Sequence, residues 1–442
     1  MMRKLLLSAV IASAFSTAAF AGGLMTNTNY HIAFDRMFAR GATTEIDAAY
    51  SNPAGLAWGH EGFQLSLNFQ KPWQRRDIEI DVPNFLTGNF NKKYEGVASA
   101  PIVPALFASY KKDRIAISAM IGIVGSGGFV KYDEGIPMFE VPIRTALASQ
   151  GLMPNMYAYG ANMKGKQYIY GGQVNVAYRL SDHFAAAVGL RANYYDGYSR
   201  GFVNANTSGI DLIDLQLDCI QRGWGFSPIV SLDYHNGPLT IAARYEFRTK
   251  IATENDTRKL ALAIAGQDAA ASQQQFGSAI AAYLDGAEVR YDMPSLLVAA
   301  VGYEFTPKLR AALEYHFFDD KHAKMAGDRQ KELTHGTHEI LAGVEYDINE
   351  KFTVSCGGQR TDYGLSDGYQ QNTSFACDSY SLGLGGAWNI NEKMRLNVSY
   401  FCSLYSDYQK GPQANYQGLP FTATETYSRT NHVIGVGLDY KF

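Results

Sequence analysis

After its first twenty-one residues the sequence has no uninterrupted apolar run approaching the roughly 18 residues that a membrane-crossing helix requires. Helical spans are thereby excluded, whereas a membrane crossed by strands is not. Cysteine is scarce, four in 442 residues, too few for the disulfide framework of a small secreted domain. Charge is also sparse. Asp, Glu, Lys and Arg make up 18% of the chain with a net charge of -3, two units more negative without Arg3 and Lys4, which excludes a basic nucleic-acid-binding protein. No Ser/Pro-rich linker divides the sequence, so an array of small sandwich domains has no boundaries to stand on.

Catalytic constellations are missing as well. His335 and His338 sit at i, i+3 in a strand pattern, which sends them to opposite faces and disfavours a shared metal. The run Gly125-Ser126-Gly127-Gly128 lacks the strand-to-helix context of a nucleophile elbow. Gly383-Leu384-Gly385-Gly386 lies inside a strand pattern and is no phosphate loop. Residue counts leave a Ser-His-Asn barrel hydrolase open, but no pattern points to one. The expectation is a protein that is not an enzyme, with no metal and no cofactor.

What is present begins with an export signal. Arg3 and Lys4 precede the apolar run Leu5 to Phe15, and Ala19-Phe20-Ala21 is a small-residue cleavage site, so residues 1–21 are expected to be removed. The chain as a whole combines near-neutral mean hydropathy, -0.18, with 29 Tyr, 24 Phe and 43 Gly. Membrane barrels have this balance because lipid-facing and lumen-facing residues alternate along each strand and aromatic side chains form two girdles. Phe63 to Gln70 alternates with period two. Tight turns follow at Lys112-Asp113, Ser181-Asp182-His183, His235-Asn236-Gly237, Thr306-Pro307, Asn349-Glu350 and Asn391-Glu392. Longer polar connections lie between them, at Arg75 to Glu95, Val130 to Lys166, Asn204 to Gln221, Ala252 to Val289, Asp319 to Thr334, Gly364 to Ser374 and Ser406 to Thr426. Six turns and seven loops require fourteen strands. The fold class is all-β: a transmembrane antiparallel β-barrel over residues 61–442, whose even strand number leaves no unpaired edge in lipid. The same parity turns Cys356 and Cys402 toward lipid on strands separated by a third, and puts Cys219 in a loop, so no disulfide is expected.

Two of the connections carry apolar residues at helical spacing. Ile136 to Met156 is one; Arg258 to Ala265 and Asp268 to Leu284 form the other, read as a hairpin broken at Gly266. The loops near 130–166 and 252–289 are therefore expected to be helical. Residues 22–60 also differ from the strand pattern. His31 to Arg40, Glu45 to Tyr50 and a turn opened by Ser51-Asn52-Pro53 are short helical signals, none stable alone. This segment is either a plug within the barrel or an arm that packs on nothing.

Gly41-Ala42, Asp47-Ala48 and Asn52-Pro53-Ala54-Gly55-Leu56 resemble the hatch of the FadL-type outer-membrane transporters of long-chain fatty acids and aromatic hydrocarbons. Ala100-Pro101-Ile102-Val103-Pro104, Lys112-Asp113-Arg114 and the glycines from Gly122 to Gly128 are similar to that family's second and third strands, and the terminal Phe442 resembles the signal read by barrel-assembly machinery. The resemblance implies a hatch at residues 22–60 inside the barrel, with Asn52, Pro53 and Ala54 as its motif. It also implies a ligand resting against the hatch N-terminus, Gly22, Gly23, Leu24 and Met25, and a lateral opening where the third strand kinks at Gly125, Ser126, Gly127 and Gly128. The extracellular loops are not matched.

Period-two parity sends Arg179, Arg191, Arg244, Glu246, Arg248, Arg310, Glu314 and Glu345 into the lumen. They form either a paired network holding the plug or, at Arg191, Arg244 or Arg310, a partner for a ligand carboxylate. Two functions compete: uptake of hydrophobic small molecules by a plugged transporter with lateral exit, and an outer-membrane porin for polar solutes. The expected partners are a hydrophobic ligand, outer-membrane lipid and the barrel-assembly machinery, with no nucleic acid and a monomeric barrel.

Overall fold

The computed structural model of the chain describes residues 25–26, 29–86, 88–100, 102–265 and 281–442, and at residues 126 and 127 the backbone alone. Fourteen antiparallel strands follow one another in chain order. They are β1 (Gly62–Phe85), β2 (Gly88–Tyr94, Gly96–Ser99 and Val103–Lys112), β3 (Ile115–Tyr132), β4 (Ala158–Arg179), β5 (Phe184–Thr207), β6 (Ile210–Asn236) and β7 (Leu239–Glu246 and Ala252–Ile264). The second half comprises β8 (Glu288–Arg290 and Leu296–Thr306), β9 (Leu309–Phe318), β10 (Thr337–Asp347), β11 (Phe352–Asp362), β12 (Ser379–Asn389), β13 (Met394–Tyr405 and Tyr408–Gln413) and β14 (Ala423–Lys441). Each strand pairs with its neighbours. β14 returns to β1 with Leu67 opposite Leu438, closing the barrel.

Alternation explains which residues face outward. Leu67, Ile117, Ile121, Val174, Val188, Leu232, Leu313, Leu382, Val398 and Ile434 are all exposed on the outer wall. In water such a surface would be prohibitive, since each large aliphatic side chain favours an apolar surrounding by about 1.5–3 kcal/mol. Aromatic residues bound the belt. Tyr178, Phe184, Phe352, Trp388 and Phe442 lie at the tight-turn end, and Trp73, Tyr170, Trp224, Phe226 and Tyr380 at the other.

Several connections prove to be strand. Arg75 to Glu95 continues β1 to Phe85 and returns in β2, and Asn204 to Gln221 is the tip of the β5–β6 hairpin. Arg258 to Ile264, read as helix, continues β7 against β6; of the second expected helix, Asp268 to Leu284, residues 268–280 lie outside the described residues and Ala281–Tyr283 forms a 3-10 turn. The cause is common to all three. Above the membrane the outward face meets water, so polar residues appear on both faces and the alternation becomes illegible while the ladder continues. Cys219 consequently lies in β6 rather than a loop. The other apolar connection does form a helix, α3 (Pro137–Ser149), which packs with Ile78, Ile80, Tyr94, Leu215 and Tyr427 into a core over the barrel mouth. All four cysteines are free, and β12 separates Cys356 from Cys402.

Candidate functional site: the plug and the interrupted wall

Residues 29–59 fold as α1 (Ile32–Met37), α2 (Ala48–Ser51) and a 3-10 turn (Pro53–Trp58), nearly all buried. Three local devices shape these short elements. The His31 ring accepts the Ala33 N–H at 3.1 Å and caps α1. Arg40 binds Asp47 through Nε at 2.6 Å and also reaches Thr43 and Glu45, tying one turn to the next. Asn52 opens the last turn, followed by Pro53 at the position that needs no N–H. Its amide uses all four hydrogen-bonding positions. It accepts from Gly55 N–H and from the Ser231 hydroxyl, and donates to Thr43 O at 3.1 Å and to Asp233 at 2.6 Å. Gly55 is small of necessity, because a Cβ there would collide with the Asn52 amide and Thr43 O.

The barrel holds this segment on almost every side. His31 Nε2 lies 3.0 Å from Ser66 of β1 and 3.1 Å from Asp439 of β14. On β4, Gln173 and Asn175 donate to Ala49 O. Arg244 of β7 donates to Tyr50 O, and Glu314 of β9 accepts the Arg40 and Gly41 N–H groups at 2.7 and 2.6 Å. Arg36 is paired with Glu345 of β10, and Arg395 of β13 reaches Glu45 at 2.8 Å. The segment therefore runs through the lumen. Inward-facing glycines make room for it. A Cβ at Gly343 or Gly357 would meet Met37 O, and one at Gly383 would meet the Asp35 backbone and the Phe38 ring. Cavities of about 610 and 660 Å³ flank Glu45 and Arg395 at the tight-turn end.

The three arginines proposed from parity are already occupied. Arg191 and Arg244 share Glu246, and Arg310 pairs with Glu345 and Asp347. Arg179 lies over the Trp58 ring, and Arg248 is exposed, donating to His322 O. The histidines at 335 and 338 also depart from expectation, with ring centroids 5.2 Å apart, because His335 precedes β10 and escapes its alternation. Their nitrogens are engaged separately, His338 with Tyr315 and His335 with Gly336 O. No cluster of three or more His, Cys, Asp or Glu suited to a metal occurs among the described residues.

Of the proposed hatch N-terminus, Gly22, Gly23 and Leu24 lie outside the described residues. Met25 is buried beside Tyr291, Phe318, Met325 and Tyr369, lining a cavity of about 30 Å³. The glycines of the third strand lie within β3, not in the loop beyond it. Two register shifts against β4 fall there, between Ile123 and Gly125 and between Ser126 and Gly128, the latter residue with φ of 74°. On the other side, pairing with β2 stops after Gly122 opposite Ala105 and resumes only at Phe129 opposite Ser99. Among the described residues, 123–128 of β3 and 100 and 102–104 of β2 do not pair with each other. Bulges, glycines and prolines concentrate where a ladder is interrupted.

The family model described as outer membrane protein beta-barrel domain matches residues 259–442. Among solved structures, a Pseudomonas aeruginosa FadL homologue superposes with a TM-score of 0.72 at 13% identity, over 95% of this chain and 100% of that one. The chain shares its fold. The P. putida toluene transporter TodX gives 0.57 at 12% identity, over 91% of this chain and 97% of the other. The Ralstonia pickettii toluene transporter TbuX gives 0.51 at 14%, over 90% and 94%. No curated protein matches the sequence significantly.

Proposed function

We propose that this outer-membrane barrel takes up hydrophobic small molecules, long-chain fatty acids or similar compounds, which descend from the outer loops to the plug and leave sideways through the wall between β2 and β3. The observation that carries this reading is the break in the ladder between β2 and β3, from Ser99 opposite Phe129 to Ala105 opposite Gly122, beside a lumen through which the N-terminal segment runs. A hydrophobic ligand gains little from a polar passage, because its apolar surface favours lipid by roughly 25 cal/mol per Å². A side exit spares it that passage. The solved structures of the same fold include two toluene transporters, which is consistent with such a cargo. An open porin for polar solutes accords poorly with a segment bound to β1, β4, β7, β9, β10, β13 and β14 at once. On this reading Gly22 to Met25 meet the ligand, Asn52, Pro53 and Ala54 hold the hatch shut, and Gly125 to Gly128 form the exit.

The test is uptake of radiolabelled oleate by cells carrying Gly127→Val. Gly128 is left unchanged because a β-branched residue resists its positive φ. Uptake should be lost while assembly and binding at the cell surface persist. Wild-type uptake by a correctly assembled variant would refute lateral exit at this point.

A further inference from the structure

Beyond the outer aromatic belt the outside of the wall turns basic. In the ladder Lys131 of β3 lies directly opposite Lys164 of β4, and Lys164 lies opposite Arg200 of β5. All three are in the outward register, the one that turns Val174 of β4 and Val188 of β5 to the outside. Like charges directly opposite one another destabilise a sheet. Lys166 follows one row nearer the belt, opposite Tyr198, and Arg222 of β6 one row nearer still, opposite Asp196. These five cations share three carboxylates. Lys131 pairs with Asp133 at 2.5 Å and Arg200 with Asp218 at 2.7 Å, while Lys166 and Arg222 both reach Asp196. Among the described residues Lys164, at the middle of the row, has no carboxylate within ion-pair distance. Most of these pairs are open to solvent, where water and salt hold them loosely. Tyr198 fixes the spacing of the cluster: its ring centre lies 5.4 Å from Lys166 Nζ and 4.4 Å from the guanidinium carbon of Arg200.

Height and charge together say what settles there. On β4 Tyr170 belongs to the aromatic belt, and Lys166 stands four residues further toward the loop end on the same face. At about 3.3 Å per residue and a tilt of about 40°, that is about 10 Å along the membrane normal. Lysine and arginine side chains bend back over part of such a distance, which brings their charges to the layer just outside the hydrocarbon. Five cations against three carboxylates leave two positive charges over, and a phosphate monoester carries about -1.5 to -2 with three acceptor oxygens. Donors from three adjacent strands suit that three-cornered acceptor. We infer that Lys131, Lys164, Lys166 and Arg200 hold the headgroup phosphate of a lipid in the outer leaflet. The source is a lipid rather than free phosphate because the cluster lies on the outer wall, directly above the exposed apolar face of Tyr170, Val174, Trp224 and Phe226 against which acyl chains pack. Lys131 follows Phe129, where β3 rejoins β2, so the bound lipid borders the break in the ladder. This site is separate from the transport reading and does not depend on the cargo.

The experiment titrates the purified barrel in mild detergent with lipid A carrying its two phosphates, and separately with the same lipid stripped of phosphate, reading bound lipid by native mass spectrometry. Wild type should bind the phosphorylated form about tenfold more tightly or better. The double variant Lys164→Gln, Arg200→Gln should lose most of that preference and leave the affinity for the stripped lipid unchanged, whereas Lys164→Arg should keep it. Inorganic phosphate at the concentration of the lipid should leave the lipid bound; displacement would show a site for free phosphate and overturn the lipid assignment. Equal affinity of wild type for the two lipids overturns the site. So does an unchanged preference in a double variant that is as heat-modifiable on gels as wild type, or a variant that weakens both lipids alike.

Discussion

Replacing Asn52 by alanine isolates the fastening of the plug from the stability of the barrel. The substitution removes the 2.6 Å bond to buried Asp233, the 3.1 Å bond to Thr43 O and the bonds accepted from Gly55 and Ser231. A hydrogen bond to a charged group contributes about 1.5–3 kcal/mol and a neutral one about 0.5–1.5 kcal/mol. Loss of the cap lies in the same range. Allowing for water reaching some of these groups, docking of residues 52–58 should weaken by about 3 kcal/mol. At 1.4 kcal/mol per tenfold, that is about a hundredfold in the open population. Hydrogen exchange reads this directly. The N–H groups of Ala54 and Gly55, which bond to Ser231 and Asn52, should exchange about a hundredfold faster, whereas those of β6 and β14 keep their protection. Asp233→Asn, which retains an acceptor but no charge, should produce a smaller change. Wild-type exchange at Ala54 in Asn52→Ala, or equal acceleration in the strands, would refute the view that this motif fastens the plug independently of the wall.

Three further outcomes can be checked. Gly343→Leu, whose side chain has no space beside Met37 O, should yield an assembled, heat-modifiable barrel whose plug is cut by added protease; a fully protected plug would show that the glycine is incidental. Asp320, in the turn after β9, is pushed up to about 6 by burial, opposed by its hydrogen bonds to Thr337. A carboxyl raised in the folded state stabilises it most at low pH, and this contribution fades as pH rises through about 6. The 319–334 connection should therefore resist proteolysis better at pH 5 than at pH 7, about one unit either side of that value, and Asp320→Asn should abolish the difference. Deleting Phe442, whose N–H bonds to Phe63 O at 3.0 Å and whose ring packs 5.0 Å from Phe63, should reduce membrane insertion; unaltered insertion would remove the terminal aromatic as an assembly signal.

Much of the barrel was legible because period two is imposed by geometry. Leu67 and Leu438, or Arg191 and Glu314, declare their faces by their neighbours alone. The six tight turns were equally plain. The hairpin tips beyond Trp73 and Tyr198 were not, since a strand wetted on both sides has no apolar signature. Parity also could not tell which arginines were neutralised. It sent Arg191, Arg244 and Arg310 inward correctly, yet their carboxylates lie on other strands or two residues along, and only register sets Lys164 between Lys131 and Arg200. Gly343, Gly357 and Gly383 carried no signal either, because the backbone they make way for arrives from more than 300 residues earlier.

The two bonds of His31, one to each side of the β1–β14 junction, bear on how the barrel is held closed. Joining the first strand to the last is the longest loop closure in the molecule, and its entropic cost grows with the logarithm of the chain between. His31 contacts β1 at Ser66 and β14 at Asp439, so the seam and the seating of α1 stabilise each other. A segment threaded in afterwards would have to pass the α3 cover or the Glu45–Arg395 bridge. The segment is thus a clasp across the barrel's own seam, fastened from within to the two strands that close it.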